Sequence, residues 1–267
     1  MTGPAAGGTR TPLPPTVSLG VSSYHEPLVT GSMSSLDFLE AAARLGFRSV
    51  ELCDKNADLE APARTLGALA ARGLCCPSFA ARNDFTIEAG LQREIDHVRR
   101  CFDVASTLGA RVVRIWTGTA RADTRAMLQV RRAFERLVPH AESLGLMIAV
   151  ETHGGLSNDV GFMNALISDI ASSAIGVCLD FGNLDATDRY EAVEKLVPIT
   201  VHVHVKSYEF DDAGRETTFD LGRCIEGVAR WGFDGLWVIE YEGLPPYEPG
   251  ILATVSALQA VLDEAVG

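Results

Sequence analysis

The sequence predicts a single α/β domain folded as a (β/α)8 TIM barrel, on three observations. From residue 16 onward, short β-branched runs alternate with longer segments of helical apolar spacing. Eight such strand–helix pairs fill the chain, and about 250 residues is the usual size of such a barrel. The rival doubly wound sheet usually has fewer strands, and a nucleotide-binding version would carry a Gly-rich turn after its first strand. Here that strand runs into SSYHEPLVTGS, with no GxGxxG.

The strands are expected, in order, at TVSLGVSSY (16–24), SVELC (49–53), CCPSFAA (75–81), RVVRIWTG (111–118), MIAVETH (147–153), IGVCLDFG (175–182), TVHVHVKSY (200–208) and GLWVIEYEG (235–243). Amphipathic stretches such as SSLDFLEAAARLG, IEAGLQREIDHVRRCFDVASTLG and TRAMLQVRRAFERLVPHAESLG lie between them. Gly46, Gly73, Gly109, Gly145 and Gly232 stand where helices close on a left-handed residue. Residues 1–15, rich in Gly, Pro and Thr, read as a disordered leader ahead of a barrel domain spanning 16–267.

Composition narrows the function classes. The 267 residues carry a net charge of −12, which argues against nucleic-acid binding, since that affinity depends on Lys and Arg neutralising phosphates. A local basic pocket for one small anion stays open. No run reaches membrane-spanning length. The six cysteines show no CxxC spacing and no disulfide framework, and the expected location is the cytoplasm.

Four predicted strands end on a metal-binding or acid/base side chain: Glu151, Asp180, His204 and Glu240. A barrel's active site lies at the C-terminal ends of its strands, and alternation sorts the residues found there. On the seventh strand His202, His204 and Lys206 share one parity. Arg114 and Trp116, Glu151 and His153, Cys178 and Asp180, and Glu240 and Glu242 do likewise on theirs. Ionised carboxylates crowded into a barrel interior are costly unless a cation joins them. Three carboxylates and one imidazole suit Mn²⁺ first, with Mg²⁺, Co²⁺ or Zn²⁺ as alternatives. His202, one layer deeper, is expected to hydrogen-bond a ligand carboxylate. Arg114, Trp116, His153, Lys206 and His25 are candidate substrate contacts. Glu51 has a lesser claim to the mouth, and His97 reads as a surface or packing residue.

The motifs ExHGG (151–155), LDxGN (179–183), HxHxK (202–206) and GFDG…IEYEG (232–243) occur in this order along the chain. In that order they resemble the sugar phosphate isomerase/epimerase family, the xylose isomerase-like barrels that also include inosose dehydratases, ketose 3-epimerases and endonuclease IV. The resemblance runs from residue 16 to about 265. It implies metal ligands Glu151, Asp180, His204 and Glu240, with Glu151 and Glu240 also moving a proton between opposite faces of a bound sugar. Asn183 stands where ketose 3-epimerases tend to have His, and Ser207 where many relatives have Asp. Asn183 is therefore carried as a substrate contact.

The function expected is a metal-dependent isomerase or epimerase that abstracts a proton α to the carbonyl of a sugar or keto-sugar, through a metal-stabilised enediolate. The alternative is a lyase or dehydratase that expels a β-leaving group from an inosose or 3-oxo glycoside. The expected partner is a small carbohydrate, with neither nucleic acid nor membrane. A homo-oligomer or a partner subunit is left open.

Overall fold

The computed structural model describes residues 13–121 and 123–266. Eight parallel strands form one closed barrel in sequence order: β1 (Val17–Gly20), β2 (Ser49–Cys53), β3 (Cys75–Ala80), β4 (Val112–Ile115), β5 (Met147–Glu151), β6 (Ile175–Asp180), β7 (Thr200–Ser207) and β8 (Leu236–Tyr241). Pairing of β1 with β8 closes the ring, with Leu19 opposite Ile239. The (β/α)8 barrel read from the alternation is the observed fold.

The helices are α1 (His25–Thr30), α2 (Ser35–Arg44), α3 (Pro62–Ala70), α4 (Leu91–Leu108), α5 (Thr124–Ser143), α6 (Val160–Ile170), α7 (Arg189–Leu196), α8 (Leu221–Ala229) and α9 (Tyr247–Val266). Their starts follow local chemistry. Ser34 and Asp37 form a reciprocal capping box on α2, and the Asp159 and Asp220 carboxylates cap α6 and α8. All five glycines expected to close helices have positive φ, between 65° and 93°. Among the described residues no helix is long and apolar enough to cross a membrane.

Residues 1–12 of the expected leader lie outside the described residues. Of its last three, Leu13 is buried and its N–H donates to the Gly46 carbonyl at 3.3 Å.

Strand alternation separates two apolar regions. Outward residues such as Leu19, Phe79, Val113, Leu179 and Val205 pack with Phe38, Phe102 and Phe134 in the main core between sheet and helices. A small cluster of Val112, Ala149, Cys178 and Leu236 forms a floor inside the barrel. Arg114, Glu151 and Asp180 lie two residues beyond three of these, and Glu240 four beyond the last. Each therefore points the same way, above that floor.

The first strand differs from expectation. It ends at Gly20, and Val21–Tyr24 turn into a 3₁₀ segment. Ser23 takes over the ladder there. Its hydroxyl donates to the Ile239 carbonyl and accepts from the Tyr241 N–H, both at 3.1 Å, so β8 keeps its hydrogen bonds without further strand.

Gly20 lies against β8 with no room for a side chain. A Cβ there would stand 2.9 Å from Glu240 Cγ and 3.1 Å from the Ile239 carbonyl oxygen. Gly20→Ala should destabilise the barrel by about 1–3 kcal/mol through overpacking and turn Glu240 from its place. Urea unfolding and divalent-metal titration of the variant measure the two effects.

Candidate metal centre

Glu151 and Asp180 are the last residues of β5 and β6, and His204 and Glu240 lie near the ends of β7 and β8. All four are buried. One potential ligand atom from each lies within 4.8 Å of all the others. His204 Nδ1 faces Glu151 Oε1 at 3.2 Å, Glu240 Oε1 at 3.4 Å and Asp180 Oδ2 at 3.7 Å. That nitrogen has no hydrogen-bond partner of acceptable geometry. A buried imidazole nitrogen aimed among three carboxylate oxygens is what a divalent cation would require, and the hard oxygen set with one nitrogen suits the metals expected.

Glu51, at the heart of β2, organises the imidazoles. Its Oε1 is 3.1 Å from His204 Nε2 and its Oε2 is 2.9 Å from His202 Nε2. Both histidines can donate Nε2–H to the two oxygens of one ionised carboxylate, which leaves His204 Nδ1 as a lone pair toward the quartet. His202 was expected to bond a ligand carboxylate. It bonds Glu51 instead, because its ring sits one layer down, where β2 rather than β5 or β6 faces it.

Permanent cations complete the interior. Arg114 Nη1 lies 3.0 Å from Glu151 Oε2, and Arg114 Nε lies 3.8 Å from Glu51 Oε1. Lys206 Nζ lies 2.9 Å from Asp180 Oδ2 and 3.3 Å from both Glu240 Oε2 and Glu242 Oε1. Gly182 makes room for this lysine, since a Cβ there would be 2.7 Å from Lys206 Cδ.

These neighbours set the charge states. Burial pushes Glu51 up, but His204 and His202 outweigh it and hold the carboxyl well below its usual range. Burial likewise opposes ionisation of Glu151, yet Arg114 and His204 bring it to about 2. Glu240 is lowered against burial by His204 and Lys206. Burial lowers His202 despite Glu51. His204 goes the other way, with Cys178, Glu240 and Glu51 outweighing its burial and raising it well above an ordinary imidazole. Glu242, at the rim, is raised to about 7 by burial, with Lys206 opposing and Glu240 adding to the rise.

A cavity of about 710 Å³ opens above the cluster, within the range of small-molecule sites. Glu151 and Glu240 line it, as do Arg114, Trp116, His153, Lys206 and His25. Asp180 and His204 do not reach its wall. Trp116 and His153 stack at 4.1 Å between centroids, forming a flat aromatic face, and the Arg114 guanidinium lies 5.5 Å from the Trp116 ring.

Asn183, read as a substrate contact, does not line the cavity. Its backbone N–H and its Nδ2 donate to the two oxygens of Asp180, at 3.1 and 2.8 Å, and its Oδ1 accepts from Lys206 at 3.3 Å. The short Asx turn directs the amide back onto the preceding carboxylate. Glu51 is the residue whose part the sequence underweighted. Its signal in the sequence is its place on a short strand with no second charged residue of the same parity beside it.

A family described as xylose isomerase-like TIM barrel matches residues 39–261. The chain is 26% identical over 162 residues to a 3-oxo-isoapionate decarboxylase of Pectobacterium atrosepticum, and that match spans 56% of this chain and 57% of the relative. The chain thus aligns with little more than half the length of that protein. Among solved structures, a xylose isomerase-like TIM barrel protein from Mycobacterium smegmatis in complex with magnesium has a TM-score of 0.75 at 17% identity, covering 94% of this chain and 97% of that one. A structure of L-ribulose 3-epimerase gives 0.76 at 15% identity, covering 94% and 95%. These two likenesses show the shared fold.

Glu51→Gln replaces one acceptor oxygen with a donor, so it cannot accept from both Nε2–H groups. One imidazole must then switch tautomer. Divalent-metal affinity should fall about 10–100-fold, read by chelator competition, with a changed histidine tautomer in ¹⁵N spectra of the metal-free protein. Unchanged spectra and affinity would refute this role for Glu51.

Proposed function

The chain belongs to the xylose isomerase-like TIM barrel family, and from that premise we propose that it is a divalent-metal-dependent isomerase or epimerase of a sugar or keto-sugar. The observation that carries the reading is the convergence of four buried ligand atoms beneath a cavity that only Glu151 and Glu240, of the four, line. Glu151, Asp180, His204 and Glu240 would hold the cation, with Mn²⁺ as first choice. When bound, the cation supplies Lewis-acid stabilisation of negative charge on substrate oxygens.

The chain's own groups do the rest. Glu151 and Glu240 are both held ionised, the state required of a base that removes the hydrogen α to a carbonyl. Each is oriented by a fixed cation, Glu151 by Arg114 and Glu240 by Lys206. They approach the cavity from different strands, so one carboxylate can take a proton from carbon while the other, having taken one up from solvent, returns it to the substrate. Return to the other face of the same carbon is epimerisation, and return to the neighbouring carbon is isomerisation. Trp116 and His153 offer a flat wall to the apolar face of a sugar and keep water from that side. Lys206 and Arg114 also lie within reach of substrate oxygens. The six free thiols fit a reducing cytoplasm.

A lyase is the second reading, and the decarboxylase relative favours it. In elimination the enolate expels a β-leaving group. In decarboxylation the broken carbon–carbon bond leaves its electron pair on the substrate as an enolate, CO₂ departs, and a proton taken up from solvent by one glutamate is passed to the carbon. The same ionised glutamates and the same cation serve all three outcomes.

Purified protein should carry about one equivalent of divalent metal per chain, and restoring it after chelation should raise the melting temperature, as for any ligand that binds only the folded state. Elemental analysis and a thermal melt check this. A folded chain with neither metal nor metal response rejects the reading. With keto-sugars in D₂O and added Mn²⁺, Glu151→Gln or Glu240→Gln should lower α-hydrogen exchange at least about 100-fold, the scale of lost general acid–base catalysis. NMR and mass measurement of the wild-type products separate isomer, elimination product and CO₂ release.

A further inference from the structure

Three consecutive strands bring a cation to one side of the cavity. Lys55 follows β2, Arg82 follows β3, and Arg114 lies within β4. Two acidic residues, Glu26 in α1 and Glu242 just past β8, line the same cavity elsewhere on its rim, and Lys206 of β7 is engaged by Asp180, Glu240 and Glu242.

The three cations are not equivalent. Arg114 is deep and committed to Glu151 and Glu51. Arg82 is 42% exposed but held rigidly, with Nε and Nη2 donating to the two oxygens of Asp54 at 2.9 and 3.1 Å. Asp54 is itself only 3% exposed, and His97 Nε2 lies 3.0 Å from its Oδ2. His97 thus buttresses the carboxylate that aims Arg82. Burying a carboxylate is costly unless it is well paired, and the product of that arrangement is a guanidinium fixed at the cavity wall. Lys55, the residue after Asp54, is exposed, lines the same cavity, and forms no ion pair among the described residues.

We propose that Lys55 and Arg82 form a subsite for an anionic substituent, carboxylate or phosphate, carried by the substrate at a distance from the carbon whose proton moves. This narrows the proposed function to acidic keto-sugars, and it depends on that reading only for the identity of the rest of the molecule. A guanidinium already bound edge-on to Asp54 keeps Nη1 for a second acceptor. The adjacent ammonium adds a mobile charge that can follow either anion. Glu242 and Glu26, elsewhere on the rim, repel the same group, which favours its placement at Lys55 and Arg82.

The test measures binding of 5-keto-D-gluconate, D-fructose 6-phosphate and neutral D-fructose to the metal-loaded protein by calorimetry. At least one anionic probe should bind about tenfold or more tighter than D-fructose, and the preferred one identifies carboxylate or phosphate as the group recognised. Lys55→Met should weaken that probe about five- to tenfold, and Lys55→Glu more, with D-fructose unchanged, since an ionic hydrogen bond is lost at a position open to solvent. Added salt should narrow the selectivity. Equal binding of charged and neutral probes, no binding of either anion at millimolar concentration, or equal losses for all probes in the Lys55 variants would overturn the subsite. Metal analysis of the same samples reads the proposed function separately: charge selectivity without metal leaves the subsite standing and refutes the cation centre.

Discussion

Charge inside the barrel is the constraint on which the rest of the structure depends. Glu51, Glu151, Asp180 and Glu240 bring four buried carboxylates into the barrel interior, and Arg114 and Lys206 bring two permanent cations. With both histidines neutral, two negative charges remain. A divalent cation among the ligand atoms would balance them. Without one, the imbalance falls on His204, which accounts for the direction in which its neighbours push it. Burial of unpaired charge is expensive enough that neutrality decides which side chains can share this space.

Much of this was legible in the sequence because period-two alternation is a strong local signal. Glu151, Asp180, His204 and Glu240 each follow an apolar run at a parity that can be counted, and the structure brings all four together. Glu51 has the same parity logic but stands alone on its strand, and its partners are about 150 residues away on β7. Only the closure of the barrel, which sets β2 across from β7, reveals what it does. Asn183, expected at the substrate, shows the opposite case. Its partner is three residues away, and a turn that folds an amide back on the preceding carboxylate looks, in sequence, like a residue reaching outward. The early end of β1 was hidden because Ser23 imitates the strand ladder with a side chain.

The quartet also divides by depth. Asp180 and His204 are covered, Asp180 by the Thr152 hydroxyl at its backbone N–H and the Gly182 and Asn183 amides at its carboxylate. Glu151 and Glu240 reach the cavity with one oxygen each turned toward a cation. On the proposed function, this separation would divide holding the cation from moving the proton. Shape and charge at the mouth, set by loops beyond β1–β3 and β8, are then free to change without disturbing the buried balance.

Gly182 lies inside the LDxGN motif and carries no functional group, yet Lys206 reaches Asp180 and Glu240 only because that position is bare. In a mutational scan, its replacement by any larger residue would score with the loss of a charged site residue, since both leave the carboxylates without their lysine. Genetic sensitivity at this position would therefore report an empty volume rather than a reactive atom.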